Sequence, residues 1–126
     1  MAITQITIQT PSNEILFTDT NLGNAVDAVK ASSCKILYAV IDNSLNAASS
    51  YLKMFNLASG SVTLGTTAAD TVIFVPASSV VTVPFLTGAA PGVTFGTALS
   101  IACVTTGGTG GNTSPSSAVT CTISYI

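Results

Sequence analysis

The sequence predicts an all-β fold, a jelly-roll-like antiparallel β-sandwich with about eight short strands. Three observations carry this expectation. Apolar and polar residues alternate in short runs, the period of a strand with one buried face. Pro, Gly, Asn and Ser cluster between the runs, where turns need them. The runs are rich in Val, Ile, Thr and aromatic residues, which suit a pleated, half-buried surface. At 126 residues the chain is one domain with room for one two-layer core.

Taken in order, Ala2–Gln9 (AITQITIQ) alternates, with Ile6 and Ile8 on one face and Gln5, Thr7 and Gln9 on the other. Pro11-Ser12-Asn13 then breaks the run. Residues 1–12 are therefore expected as an N-terminal arm or exchanged strand. Glu14–Thr18 (EILFT) reads as a second short strand and DTNLGN as a loop. AVDAVKASS is ambiguous between the two periods, with strand preferred. Cys34–Asn43 (CKILYAVIDN) is the strongest apolar run and is expected as a central strand covered on both faces.

In Ser50–Leu57 (SYLKMFNL), Tyr51, Lys53 and Phe55 share one face, and Leu52 and Met54 the other. ASGSVTLGTTAAD is a turn-rich connection. TVIFVP, VVTVPFL and GVTFG are short strands whose prolines place them at edges or bends. Ala98–Thr106 and Ala118–Ile126 close the chain, the latter with Val119, Cys121, Ile123 and Tyr125 on one face. Between them GGTGGNTSPSS, residues 107–117, reads as a flexible exposed loop.

Composition excludes several functions. Only 6% of residues are charged, against about 25% in an ordinary domain, and the last is Asp70. Three lysines, Lys30, Lys35 and Lys53, are the whole positive complement, too few for the cationic stripe of a nucleic-acid binder. A hydrophobic fraction of 48% rules out disorder by charge excess. Pro76, Pro84 and Pro91 interrupt the most apolar region, leaving no run of about 20 apolar residues to span a membrane. The first residues lack the basic and apolar regions of a secretory signal, so the chain is expected to remain in the cytoplasm where it is made.

The residues offer little chemistry. Ser50–Lys53 and Ser32–Lys35 match S-x-x-K, but that motif works on a helix, and on a strand its two ends point to opposite faces. Glu14, Asp19, Asp27, Asp42 and Asp70 are isolated in the sequence, and there is no His, so no acid–base pair or triad is visible. Gly107–Gly111 lacks the G-K-[ST] ending of a phosphate cradle. Asn112-Thr113-Ser114 is a sequon without a secretory route. Cys34, Cys103 and Cys121 have no metal-ligand spacing and are expected as buried free thiols. An alternative stays open: if the last two strands pair around Asn112, Cys103 and Cys121 stand opposite each other at disulfide range. No catalytic residue, metal or cofactor is expected.

So few charges leave an exposed surface of Thr, Ser, Gly and apolar atoms, which favours association. The expected partner surface comprises Ile3, Ile6 and Ile8 of the arm, suited to adding to a neighbour's sheet edge, together with Tyr51 and Phe55 as an aromatic platform.

Five segments carry a resemblance: Val29–Ser32 leading to Leu37-Tyr38, Tyr51–Phe55, Gly65–Val72, Val75-Pro76 and Phe95–Ile101. This succession resembles a family of small tailed-phage virion proteins, over about residues 26–126, and the three cysteines are not part of the pattern. The resemblance implies a capsid decoration, or cement, protein: a β-sandwich on the capsid surface of the virion. It would be a homotrimer or other homo-oligomer that braces neighbouring copies of the major capsid protein. Two rivals are kept, another virion part or receptor- or glycan-binding module, and a hydrolase built on Ser50 and Lys53.

Overall fold

The computed structural model describes residues 13–88 and 90–126 and is all-β. Among the described residues there are eleven strands: β1 (Ile15–Leu22), β2 (Asp27–Lys30), β3 (Cys34–Asp42), β4 (Ser50–Phe55), β5 (Thr71–Val75), β6 (Val80–Pro84), β7 (Leu86–Thr87), β8 (Ala90–Pro91), β9 (Val93–Phe95), β10 (Leu99–Val104) and β11 (Val119–Tyr125). β9 falls in the expected strand GVTFG, whereas the two-residue β7 and β8, cut from the proline-rich stretch, were not expected as separate strands. The expected strand Ala2–Gln9, with Ile3, Ile6 and Ile8, lies outside the described residues.

Two main sheets share the core. One runs β1-β11-β3-β6, with β9 also on β3, and the other β2-β10-β4-β5; all pairings are antiparallel. Leu22, Ile36, Ile41 and Ile123 from the first sheet meet Leu52, Met54, Leu99 and Ile101 from the second, all fully buried. Each such side chain contributes about 1.5–3 kcal/mol through burial.

The strand expected over Glu14–Thr18 continues to Leu22, so most of the presumed loop DTNLGN belongs to β1, with Asp19 and Leu22 paired to β11. A register break between Asp19 and Leu22 turns Leu22 into the core. The ambiguous AVDAVKASS contains β2. β3 is central, as expected, yet only one of its faces is closed: Cys34, Ile36, Ala39 and Ile41 are buried while Lys35, Leu37, Tyr38, Val40 and Asp42 are half-exposed. Its inward phase skips at Leu37, where the neighbour on one side changes from β6 to β9 and the register with β11 shifts.

The strands buried on both faces are instead β10 and β4. Every residue of β10 is buried, and only Tyr51 of β4 is not. Leu52 and Met54 face the core opposite Cys103 and Ile101, whereas Lys53 and Phe55 face outward opposite Ala102 and Ser100. Chain from the 56–70 and 105–113 connections covers that outward face, and the polar contacts there include Ser100 Oγ donating to the Leu57 carbonyl at 2.9 Å.

Cys34, Cys103 and Cys121 are free and buried, as expected; β10 and β11 belong to different sheets, so the alternative, Cys103 opposite Cys121 on neighbouring strands, does not occur. Residues 107–117 form no regular structure, as expected, but hydrogen bonds tether them. Asn24 donates from its backbone N–H to Ser114 Oγ (2.8 Å) and from Nδ2 to the Asn112 carbonyl (3.0 Å), and Ser117 N–H donates to Asn46 Oδ1 (2.8 Å).

Candidate partner interface

Tyr51 and Phe55 do share the outward face of β4, but the structure separates their roles. Phe55 is fully buried beneath the 56–70 connection and presents nothing to a partner. Tyr51 is half-buried, and its ring meets that of Phe74 at 5.4 Å between centroids, tilted 57°, a favourable aromatic geometry. Gly107 passes so close that a Cβ there would stand 2.7 Å from the Tyr51 ring, so the strap over β4 needs glycine at this point.

β5 completes the patch. Val72 and Phe74 point outward on this edge strand, 43% and 53% exposed, beside Tyr51. Residue-by-residue reading passed over them because an apolar β5 is equally consistent with core; the available signal was an uncharged strand flanked by Asp70 and Pro76.

Lys53, between Tyr51 and Phe55, is 1% exposed. Its Nζ donates to the carbonyls of Gly108 (2.7 Å) and Gly111 (2.8 Å), and burial lowers its pKa from the usual lysine value. The ammonium thereby clasps the glycine-rich strap to the second sheet. Ser50 faces the other way, its Oγ donating to Asn43 Oδ1 at 2.8 Å. The two ends of this S-x-x-K therefore do not meet.

The acids are mostly engaged with backbone. Asp19 accepts from Asn21 N–H (2.8 Å), Asp42 from Ser44 N–H (2.9 Å) and Asp70 from Asn56 N–H (2.7 Å). Hydrogen bonding from the Ser44 side chain, and then from its N–H, lowers the carboxyl pKa of Asp42. Glu14 accepts from Ser124 Oγ. Asp27 overturns the expectation that the acids stand apart. Burial, then a hydrogen bond with Asp19, then the Asp19 charge push its carboxyl up to about 6.

The thiols are closed chemically as well as sterically. Burial raises Cys34 against the lowering effect of Lys30, lifts Cys103 to about 11 and lifts Cys121 to about 12, so at neutral pH they are un-ionised and poor nucleophiles. Among the described residues no group of three or more His, Cys, Asp or Glu side chains is placed to hold a metal, and no helix is long and apolar enough to cross a membrane. Small clefts among the described residues include one of 280 Å³ with Asn21, Asn24 and Ser114, and one of 210 Å³ with Asn56, Asp70, Thr71, Thr94 and Phe95. The first is lined by no titratable side chain, and the second by one, Asp70, which accepts from Asn56 N–H. No family model, curated protein or solved structure matches this chain.

Proposed function

We propose that this chain is a non-enzymatic structural protein of a tailed-phage virion. In this reading it decorates the capsid and braces neighbouring copies of the major capsid protein as a homotrimer or other homo-oligomer. The observation that carries the reading is the apolar, charge-free edge at Val72, Phe74 and Tyr51, in a chain with eight charged residues in all. Exposed edges of this kind call for cover by other protein. The sequence resemblance described above supplies the particle.

The finer fold we propose is a jelly roll, and the strand order supports it. Setting aside β7, β8 and β9, the eight remaining strands run first-last-third-sixth in one sheet and second-seventh-fourth-fifth in the other. That is the order produced when an eight-stranded ribbon is wrapped as two Greek keys, an architecture of viral shell and lectin domains. Fold analogy of this kind supports both the decoration reading and the glycan-binding alternative without choosing between them.

Mechanistically, each copy would contribute a modest contact, and many copies on a closed lattice would add up to a large resistance to expansion. Copy number in purified particles is the test: decoration requires hundreds of copies, a neck, baseplate or fibre part a few to tens. Deleting residues 1–10 is expected to lower capsid occupancy while leaving the sandwich folded. Normal occupancy by the truncated chain would remove the arm from the mechanism.

A further inference from the structure

The sandwich has two lateral sides, and their chemistry differs. On one, β1 crosses to β2 through residues 23–26, and the strands carry Asp19, Asp27 and Lys30. On the other, β5 crosses to β6 through residues 76–79, and Thr71–Pro84 contains no charged residue. Charges on an edge strand discourage pairing with another chain. β6 ends in Pro84, which has no N–H to offer. Of the four strands that end the two sheets, β5 alone carries neither a charge nor a proline within its span; β9, which shares the β3 edge with β6, is also uncharged but has only three residues. β5 has no neighbour on its outer side among the described residues.

We propose that β5 pairs antiparallel with β5 of a second copy of this chain about a two-fold axis, joining the second sheets of the two copies. The strand is self-complementary in that arrangement. Centring the axis on Ile73 places Val72 opposite the partner's Phe74 and Phe74 opposite the partner's Val72, all on the outward face. Residue i meeting j while j meets i is what a two-fold contact requires, and apolar cross-strand pairs are the favourable kind. With no charge on either strand, the pairing meets no like-charge repulsion.

β5 has five residues, against about 20–30 per side in an interface of standard size. A contact this small makes a weak dimer that dissociates on dilution. This deepens the assembly reading, but it is measured on the isolated chain. Loss of self-pairing would leave capsid occupancy to be judged separately, and absence from a capsid would leave the dimer standing.

The experiment is sedimentation equilibrium of the full chain up to 1 mM, for wild type, Phe74→Lys, Val72→Lys and Leu16→Lys. Leu16 is 59% exposed on β1, the end strand of the first sheet on the opposite lateral side. We expect reversible dimerisation of wild type and Leu16→Lys, and at least tenfold weaker association of both edge variants, each with an unchanged circular dichroism spectrum. Register is read by oxidative cross-linking: a mixture of Val72→Cys and Phe74→Cys chains should form the mixed dimer far faster than either variant links to itself. A wild type that stays monomeric at 1 mM overturns the proposal. So does a dimer indifferent to Phe74→Lys, a dimer lost on deleting residues 1–12 yet kept in both edge variants, or preferential Phe74→Cys self-linkage.

Discussion

The outward faces of the two sheets are built on opposite plans. On the first sheet the face is hydroxyl-lined and open: Thr18 and Thr122 exchange a long 3.3 Å contact, and Thr120, Tyr38 and Val40 are half-exposed. On the second sheet the corresponding face holds Phe55, Ala102 and Val104, all fully buried under connecting chain. The difference shows that a strand's burial depends on what the loops do as much as on its own apolarity. β3 is the more apolar run, yet β4, with a lysine in the middle, is the more deeply buried.

The largest way to break this contrast is to remove the clasp. Lys53→Ala should orphan the carbonyls of Gly108 and Gly111 and leave a cavity, costing about 2–4 kcal/mol. Lys53→Met orphans the same carbonyls but keeps most of the volume, so it should cost less than Lys53→Ala by the cavity it avoids. Urea denaturation gives both values. Amide exchange should quicken first across residues 105–113; uniform exchange with unchanged stability would mean that the strap is held by something other than Lys53.

A second test acts where the open sheet meets the covered one, at Asp19 and Asp27. Because the Asp27 carboxyl is raised from 3.8 to about 6, the folded chain holds more protons than the unfolded chain between those values. Its contribution to stability is thus fully present below about pH 4 and is lost as the pH rises through 6. Solvent screening at this partly open site limits the loss to about 1–2 kcal/mol. Asp27→Asn should flatten that slope, read as the difference in urea midpoint between pH 4 and pH 7. An identical profile for wild type and variant would assign the slope elsewhere.

The smallest effect is expected on the open face itself. Thr122→Val removes an exposed hydroxyl contact and keeps a β-branched strand residue, so thermal denaturation should shift by no more than about 0.5 kcal/mol. A larger change would show that the face is organised more tightly than its exposure implies.

Much of this was legible in the residues. The alternation of β11 survived into the structure because one of its faces is core and the other solvent, the condition under which a period of two is informative. The same rule misread β3 and β4. An apolar run does not say which sheet its loops will fold over, and Lys53 gave no sign of burial because its partners are backbone carbonyls, which every residue supplies. The partner surface was half legible: Tyr51 stood out as an aromatic, while Phe74 became its neighbour only through the β4–β5 pairing.

Sequence alone determined the all-β class, the strand positions from β2 onward to within a few residues, the turn chemistry and the uncharged second half, since each follows from local spacing and residue type. Tertiary structure alone decided which strands are neighbours, which faces are closed, that Cys103 and Cys121 sit in different sheets, and that Asp19, eight positions away in the chain, helps to raise the Asp27 carboxyl. Those outcomes depend on long-range pairing, where residues far apart in the chain meet for the first time, and no local pattern encodes the meeting.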